Sequence, residues 1–352
     1  MGYDYLIVGA GPFGATAART LTDAGKKCLV IDRNNFVSGN CYDYEYNNYY
    51  VSVMGGHFYH DTNDNIWNFV NRFSKFNNFR LISKEFHEGE LYSYPINLTT
   101  LHKLWGITTP EQARKKIDEV KLDIPNPKNF EEKMLGLIGK ELYEKFIFGY
   151  TTKMWQVDPK EMPVGLTGRI PVRFNYEEHM FSDKHQGQPE EGYTKLFANM
   201  LDGIEVKLNT PYEKNMKAEN VIYTGSIDDF YDCCYGPLEY RASFRTWDES
   251  ELGNTMFTYS DLDIPYIRKF SYSYAYPEKN NNGKFMTSTE FSLDGTEVKD
   301  YPINNAKNEA LYNKYKEINT PNVFFGGRLG AYKYFDIDQC IGSALNLCKK
   351  II

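Results

Sequence analysis

Tyr5-Leu6-Ile7-Val8-Gly9-Ala10-Gly11-Pro12-Phe13-Gly14-Ala15 is the stretch on which the reading of this chain turns. Its apolar opening is of strand length and ends in glycine, residues 15–24 have helical composition, and Gly25 sits where a helix C-cap belongs. Lys27-Cys28-Leu29-Val30-Ile31-Asp32 is a second buried strand closed by an acid. Strand, helix and strand within about thirty residues make a βαβ unit and therefore a parallel sheet. Between them lies GxGxxG: Gly9 for the tight turn, Gly11 for close approach to a pyrophosphate, Gly14 for packing of helix on strand. The helix N-terminus supplies N–H donors and partial positive charge to an anion. Asp32 follows Gly11 by 21 residues, where a carboxylate accepts from an adenosine ribose. Gly9, Gly11, Pro12, Phe13, Gly14, Asp32 and Arg33 are thus the first candidates for holding a dinucleotide.

Two later features favour FAD over NAD. Asp32-Arg33 runs into a glycine-containing loop, Ser38-Gly39-Asn40, where an NAD enzyme would continue in regular βα units. The buried strand Val323-Phe324-Phe325 ends in Gly326-Gly327-Arg328 and feeds a helix, which suits a second backbone approach to the same pyrophosphate. Asn220-Val221-Ile222-Tyr223 is a further strand of the parallel sheet, and helices are expected at 64–76, 192–201, 305–318 and 338–352. Residues 80–94 read as a hairpin around His87-Glu88-Gly89-Glu90, and 240–300 as an antiparallel sheet. Three helical segments fill 99–150, one carrying the stripe Leu135-Ile138-Leu142-Phe146, and 151–185 reads as loop with one or two strands. The expected fold is α/β: a Rossmann-like FAD-binding domain (1–72, 186–240, 318–352) with an inserted helical-bundle domain (97–150). An antiparallel β-sheet domain for substrate (73–96, 151–185, 241–317) carries a mobile loop near 163–175.

The 352 residues suit two or three domains at roughly 100–200 residues each. A formal charge of −7 gives no surface for nucleic acid. No apolar run is long enough for a membrane helix, and no signal peptide precedes the first strand. Six scattered cysteines without a CxxC pair read as free thiols of a cytoplasmic protein. No metal site, Ser-His-Asp set or P-loop lysine is spaced convincingly.

The chain resembles the prokaryotic UDP-galactopyranose mutases along most of its length. The resemblance is carried by Gly55-Gly56-His57-Phe58-Tyr59-His60, Gly149-Tyr150-Thr151-Thr152-Lys153-Met154-Trp155, Arg169-Ile170-Pro171-Val172-Arg173-Phe174, Gly192-Tyr193-Thr194-Lys195-Leu196, Leu238-Glu239-Tyr240-Arg241, Pro265-Tyr266-Ile267-Arg268 and Gly326-Gly327-Arg328-Leu329. It implies a flavin-dependent isomerase that interconverts the pyranose and furanose forms of a nucleotide-sugar, a UDP-, dTDP- or GDP-sugar, by attack of reduced FAD N5 on the anomeric carbon. It also implies a homodimer formed through the helical insertion.

By the same resemblance Arg169, on a loop hinged at Gly165 and Gly168, and Arg268 take the substrate diphosphate. Their planar forks suit that task, because charge grows on the leaving oxygen. Tyr301 and Tyr334 donate to phosphate, Phe146, Tyr150 and Thr151 lie toward the base, and Trp155 and Asp336 lie near sugar and diphosphate. Gly56, His57 and His60 lie against the isoalloxazine, with His57 counted among the catalytic residues. Gly39, Asn40, Gly327, Arg328, Tyr334, Asp336 and Ile337 complete the cofactor side, Arg328 balancing charge on reduced flavin. Three departures stand out: Ser38-Gly39-Asn40 replaces the usual Gly-Gly-Asn, Met180 replaces a phosphate-binding tyrosine, and Arg80-Leu81-Ile82-Ser83-Lys84-Glu85 replaces a stretch usually carrying Asn-Ser-Pro-Leu. The rival reading is a conventional FAD oxidoreductase of the amine-oxidase type, which leaves the paired arginines unexplained.

Overall fold

A computed structural model of the chain describes residues 2–165, 172–295 and 298–352. The first sheet is parallel throughout, in the order Val323–Phe325, Asn220–Tyr223, Tyr5–Val8, Cys28–Ile31, Glu205–Lys207. Helix Pro12–Asp23 packs on the last helix, Ile337–Ile351, through Phe13, Ala17, Leu21, Ile341, Ala344 and Cys348. Alanines on the inner face let the two helices approach closely. Pro12 opens the first helix at a position whose N–H has no partner in any helix, and Gly25 ends the turn beyond it at φ +80°.

The second sheet has seven strands in the order Tyr301–Pro302, Tyr240–Glu249, Met286–Asp294, Arg268–Ser271, Met256–Tyr259, Ser83–His87, Glu90–Tyr94. The hairpin at 83–94 forms about Glu88-Gly89 and joins this sheet. The sheet is not wholly antiparallel: Met256–Tyr259 pairs with Ser83–His87 in parallel. That contact joins segments far apart in the chain, so no hairpin dictates its direction.

Helices depart from expectation in number and length. The 98–155 region holds Leu98–Trp105, Pro110–Val120, Phe130–Tyr143, a π turn at Glu144–Phe148 and Gly149–Trp155, where three segments were expected. Gly139 (φ +76°) breaks the helical path inside the predicted stripe, and the position takes only glycine, because a Cβ there would lie 2.4 Å from the Val120 carbonyl oxygen. Ile138, Leu142 and Phe146 are nevertheless all buried in one helical core. The start of 151–185 is helix, not loop, and the helix from Asp64 stops at Val70 instead of reaching Phe76. All six cysteines are unpaired. No helix among the described residues is long and apolar enough to cross a membrane.

Candidate active site

The cofactor turn is built by three glycines for three different reasons. Gly9 has φ +107°, and a Cβ there would meet the Thr224 hydroxyl at 2.0 Å. A Cβ on Gly14 would lie 1.9 Å from the Gly9 carbonyl oxygen, so strand and helix can meet only with glycine there. Gly11 is different, since its nearest neighbour to a Cβ is the Gly39 Cα at 3.7 Å. The protein leaves room at Gly11, as expected where a ligand must approach backbone. Gly11 caps the helix without a side-chain bond, and no acid lies in the first turn to compete for its amides.

The loop at 38–40 closes on this turn: Ser38 N donates to Ala10 O at 2.9 Å. Asn40 donates to Asp300 Oδ1 at 3.2 Å. Asp32 is buried and accepts from Ala10 N and Asn34 N, each at 2.8 Å, so its carboxylate braces the turn itself. Arg33 beside it is exposed. On the other side, Gly326 lies against the Phe13 ring, 2.1 Å from where a Cβ would stand, and Gly327 has φ +72°.

Arg328 is held between two phenol rings. Tyr301 and Tyr334 are nearly parallel, with centroids 5.8 Å apart, and the guanidinium lies 5.3 and 4.7 Å from them. It donates to Asp300 O at 3.3 Å and Phe335 O at 2.8 Å. Burial works against its charge, but Tyr334 and Tyr301 outweigh it and hold the pKa above the ordinary value. Asp336 N donates to Gln339 Oε1 at 3.1 Å where the last helix begins, and Ile337 packs into the core of the parallel domain.

His57 follows two glycines that the structure requires. Gly55 has φ +129°, and a Cβ on Gly56 would lie 2.4 Å from the Phe270 ring. The His57 Nδ1 is buried and has no hydrogen-bond partner among the described residues. Burial, then Arg328 and Arg245, push its pKa down to about 3, so the ring is neutral at physiological pH. His60 belongs to a different layer: it stacks on Phe181 at 3.7 Å, and its Nδ1 is 3.0 Å from Asp183. Its Nε2 is 4.0 Å from Asp336.

Beneath these groups runs a row that crosses six strands. Tyr92, Glu85, Thr258, Arg268, Glu290 and Arg245 stand directly opposite one another in succession. Arg268 donates Nε and Nη2 to Glu290 Oε1 at 3.0 and 2.7 Å. Arg245 donates to Glu290 Oε2 at 3.0 Å and to Ser243 at 2.8 Å. Glu290 is wholly buried, and the Arg245 and Arg268 side chains are 4% and 20% exposed. One carboxylate thus carries two guanidinium groups, leaving one net positive charge in the floor of the site. Burial opposes the Arg268 charge, yet Glu290, with Tyr150 and Tyr301, raises its pKa well above the ordinary value. The Tyr301 phenol is pushed up to about 12 by burial and stays a neutral donor.

Lys153 fixes the loop that leads into Arg268 by donating to the carbonyls of Asp261, Ile264 and Tyr266 at 2.8, 3.0 and 3.0 Å. Tyr150 is half-buried and electrostatically close to Arg268, Glu290 and Tyr334, whereas Thr151 is buried. Trp155 packs against the helical core. Phe146 is 1% exposed and packs edge-on to Tyr92 at 5.1 Å, within the helical core. Met180 packs with Phe58, Phe79 and Phe181 in an apolar cluster around Phe270, its backbone fixed to Leu81 O at 2.7 Å and Arg173 Nη2 at 2.9 Å. Arg169 and its hinge residue Gly168 lie outside the described residues. Sequence reading missed Arg245, Glu290, Glu85 and Thr258, because only strand register brings them together.

Comparison with known proteins agrees with this geometry. A sequence model described as UDP-galactopyranose mutase matches residues 145–334, and one described as an NAD(P)-binding Rossmann-like domain matches 7–73. The chain is 36% identical to the dTDP-fucopyranose mutase of Escherichia coli over 369 positions, covering 99% of this chain and 98% of that one. The chain belongs to the UDP-galactopyranose mutase family. It is 35% identical to the probable UDP-galactopyranose mutase of Klebsiella pneumoniae, covering 99% of this chain and 94% of that one. The crystal structure of a reduced UDP-galactopyranose mutase superposes with a TM-score of 0.74 at 16% identity, covering 100% of this chain and 94% of that one, a likeness of fold. The mutase family is one of isomerases, so the dinucleotide turn and the arginine floor belong to a chain whose relatives rearrange sugars.

Proposed function

We propose that this mutase interconverts the pyranose and furanose forms of a nucleotide-sugar, UDP-galactose or a related UDP-, dTDP- or GDP-sugar. FAD would be held by the 9–14 turn, the 38–40 loop and Gly327-Arg328. The room left at Gly11 and the unspent Nδ1 of His57 fit such a group. When bound and reduced, FAD supplies the nucleophile for the anomeric carbon.

The observation that carries the reading is Arg268, held near His57 by a buried carboxylate that it shares with Arg245. A guanidinium locked in this way meets charge growing on the departing diphosphate without first reorganising. Arg169 would add a second fork, and Tyr301 and Tyr334 would donate phenol protons. Neutral His57 serves as a hydrogen-bonding wall of the cofactor pocket and not as a cation. Six unpaired cysteines support a cytoplasmic setting. Exposed Leu122 and Leu137 on the helical insertion support a homodimer through that insertion.

The test is turnover of UDP-, dTDP- and GDP-sugars by purified protein with and without dithionite. Conversion to furanose only after reduction, with no stoichiometric oxidation of product, is expected. Oxidation of an amine at the expense of the cofactor, with no sugar converted, overturns the reading in favour of an amine-oxidase-like enzyme.

A further inference from the structure

We propose that Asp300 is a positioning residue that joins the cofactor side of the site to the diphosphate side, so that cofactor and nucleotide bind cooperatively through it. This rests on the nucleotide-sugar reading above and adds to it the joint by which one ligand prepares the protein for the other.

Asp300 engages every hydrogen-bonding group it has, and it engages them on both sides. Its backbone N donates to Arg241 O at 3.1 Å, and its Oδ2 accepts from Ser243 N at 3.2 Å; both partners belong to the strand that carries Arg245. Its Oδ1 accepts from the Asn40 amide at 3.2 Å, and its carbonyl oxygen accepts from Arg328 Nη1 at 3.3 Å; both of these lie on the cofactor side. From Ser243 the path continues. The Ser243 hydroxyl accepts from Arg245 Nη2 at 2.8 Å, and Arg245 meets Arg268 on the Glu290 carboxylate. A chain of five hydrogen bonds thus runs from the 38–40 loop to the guanidinium assigned to the diphosphate.

The partners require an acid at this place. Asp300 is buried, and both groups that meet its carboxylate are donors, so two acceptor oxygens are needed to satisfy them at once. Burial raises its pKa, against the Ser243 N–H, Arg245 and Arg328, so the acid is kept here despite the cost of burying it. The chain that follows it has few ties of its own. Strand Tyr301–Pro302 is two residues long, paired with Arg241 and Tyr240, and Pro302 has no N–H to give. Lys299 holds the segment to Ser226, Asp228 and Asp229, outside the residues assigned to either ligand. Where Asp300 is fixed, Tyr301 is fixed beside Arg328. A ligand on Arg328 and the 38–40 loop therefore orders Asp300, and Asp300 orders the strand of Ser243 and Arg245 before a nucleotide arrives. The same holds in reverse. One ordering serves two ligands, so whichever binds second binds more tightly.

The experiment is FAD release on dilution of the FAD-loaded protein, read by flavin fluorescence with and without saturating UDP, dTDP or GDP, for wild type, Asp300→Ala and Asp300→Asn. These nucleotides lack the sugar, the part that must reach the cofactor, so direct contact between the ligands does not enter. In wild type the nucleotide that binds is expected to tighten FAD about 5-fold or more. Asp300→Ala should bring that factor close to 1, and Asp300→Asn, which offers one acceptor to two donors, should keep only part of it. A variant that is merely loosened moves the other way, because each ligand then has more to order and helps the other more. A factor in Asp300→Ala at or above that of wild type therefore overturns the proposal, and so does a wild-type factor of 1. Should Asp300→Ala fail to fold, undiminished coupling in Asp300→Asn overturns it instead. If calorimetry shows that none of the three nucleotides binds, the nucleotide-sugar reading falls and this proposal with it; binding without coupling ends this proposal alone.

Discussion

The cofactor turn and the arginine row are two binding surfaces made in opposite ways. The turn at 9–14 uses backbone: three glycines, a helix N-terminus and a carboxylate that braces the loop from 22 residues away. The row uses side chains alone, drawn from five strands between Glu85 and Arg245, and its members meet only through register. A backbone site fails when an atom is added. A side-chain site fails when a partner is removed.

The largest expected effect breaks the turn. Gly14→Val should not fold, because its Cβ would enter the Gly9 carbonyl. Gly11→Val should fold, since ordinary space surrounds that position, yet purify without flavin. Absorbance near the flavin band and circular dichroism separate the two outcomes. A yellow Gly11→Val protein would remove the pyrophosphate from this turn.

Next comes the row. Glu290→Gln leaves two buried guanidinium groups without their shared carboxylate and should cost about 3–5 kcal/mol of stability, read as denaturant midpoint. Arg268→Ala removes a partner that Glu290 can spare, because Arg245 still neutralises it. That variant should fold, keep its flavin, and lose on the order of 10²–10³ in turnover of the reduced enzyme. Near-normal turnover would mean that the leaving diphosphate is met elsewhere.

The same contrast explains what could be read in advance. Gly9, Gly11, Gly14 and Asp32 act within one βαβ unit, so spacing alone exposes their task, and the parallel sheet came with them. Arg268 was found through its motif, but Glu290 and Arg245 were not, since nothing near Glu290 in sequence announces that it faces two arginines. Phe146 belongs to a pattern that is legible in sequence. Its helical stripe is real, and Ile138, Leu142 and Phe146 stay in one buried core despite the break at Gly139 and the π turn after it. Even the direction of the pairing between 83–87 and 256–259 is a product of global topology, which local pattern does not encode.

The smallest expected effect compares the two buried acids of the row, Glu290 and Glu85, which differ in their cationic partners. Glu290 is opposed by burial, but Arg268 and Arg245 outweigh it and hold its carboxyl below the ordinary range. Glu85 has no such pair, and burial raises it from 4.5 to about 8. The signs are opposite.

 Among the described residues Glu290 has two guanidinium partners and Glu85 has none. For Glu290 the folded pKa is depressed, so its stabilisation is present above the unfolded value and is lost as pH falls through the folded one. For Glu85 the folded pKa is raised, so its contribution is fully present below 4.5 and is lost as pH rises toward about 8. Wild type and Glu85→Gln should therefore have similar stability near pH 4.5. Between there and pH 8 wild type should fall behind by at most about 1.4 kcal/mol per pH unit, and the gap should then stay constant. Denaturant unfolding of both proteins across that range is the measurement, with Glu290→Gln as the companion whose gap instead closes in acid. A gap for Glu85→Gln that does not change with pH would mean that the carboxyl is ionised in the folded protein, and the two ends of the row would then differ in position only.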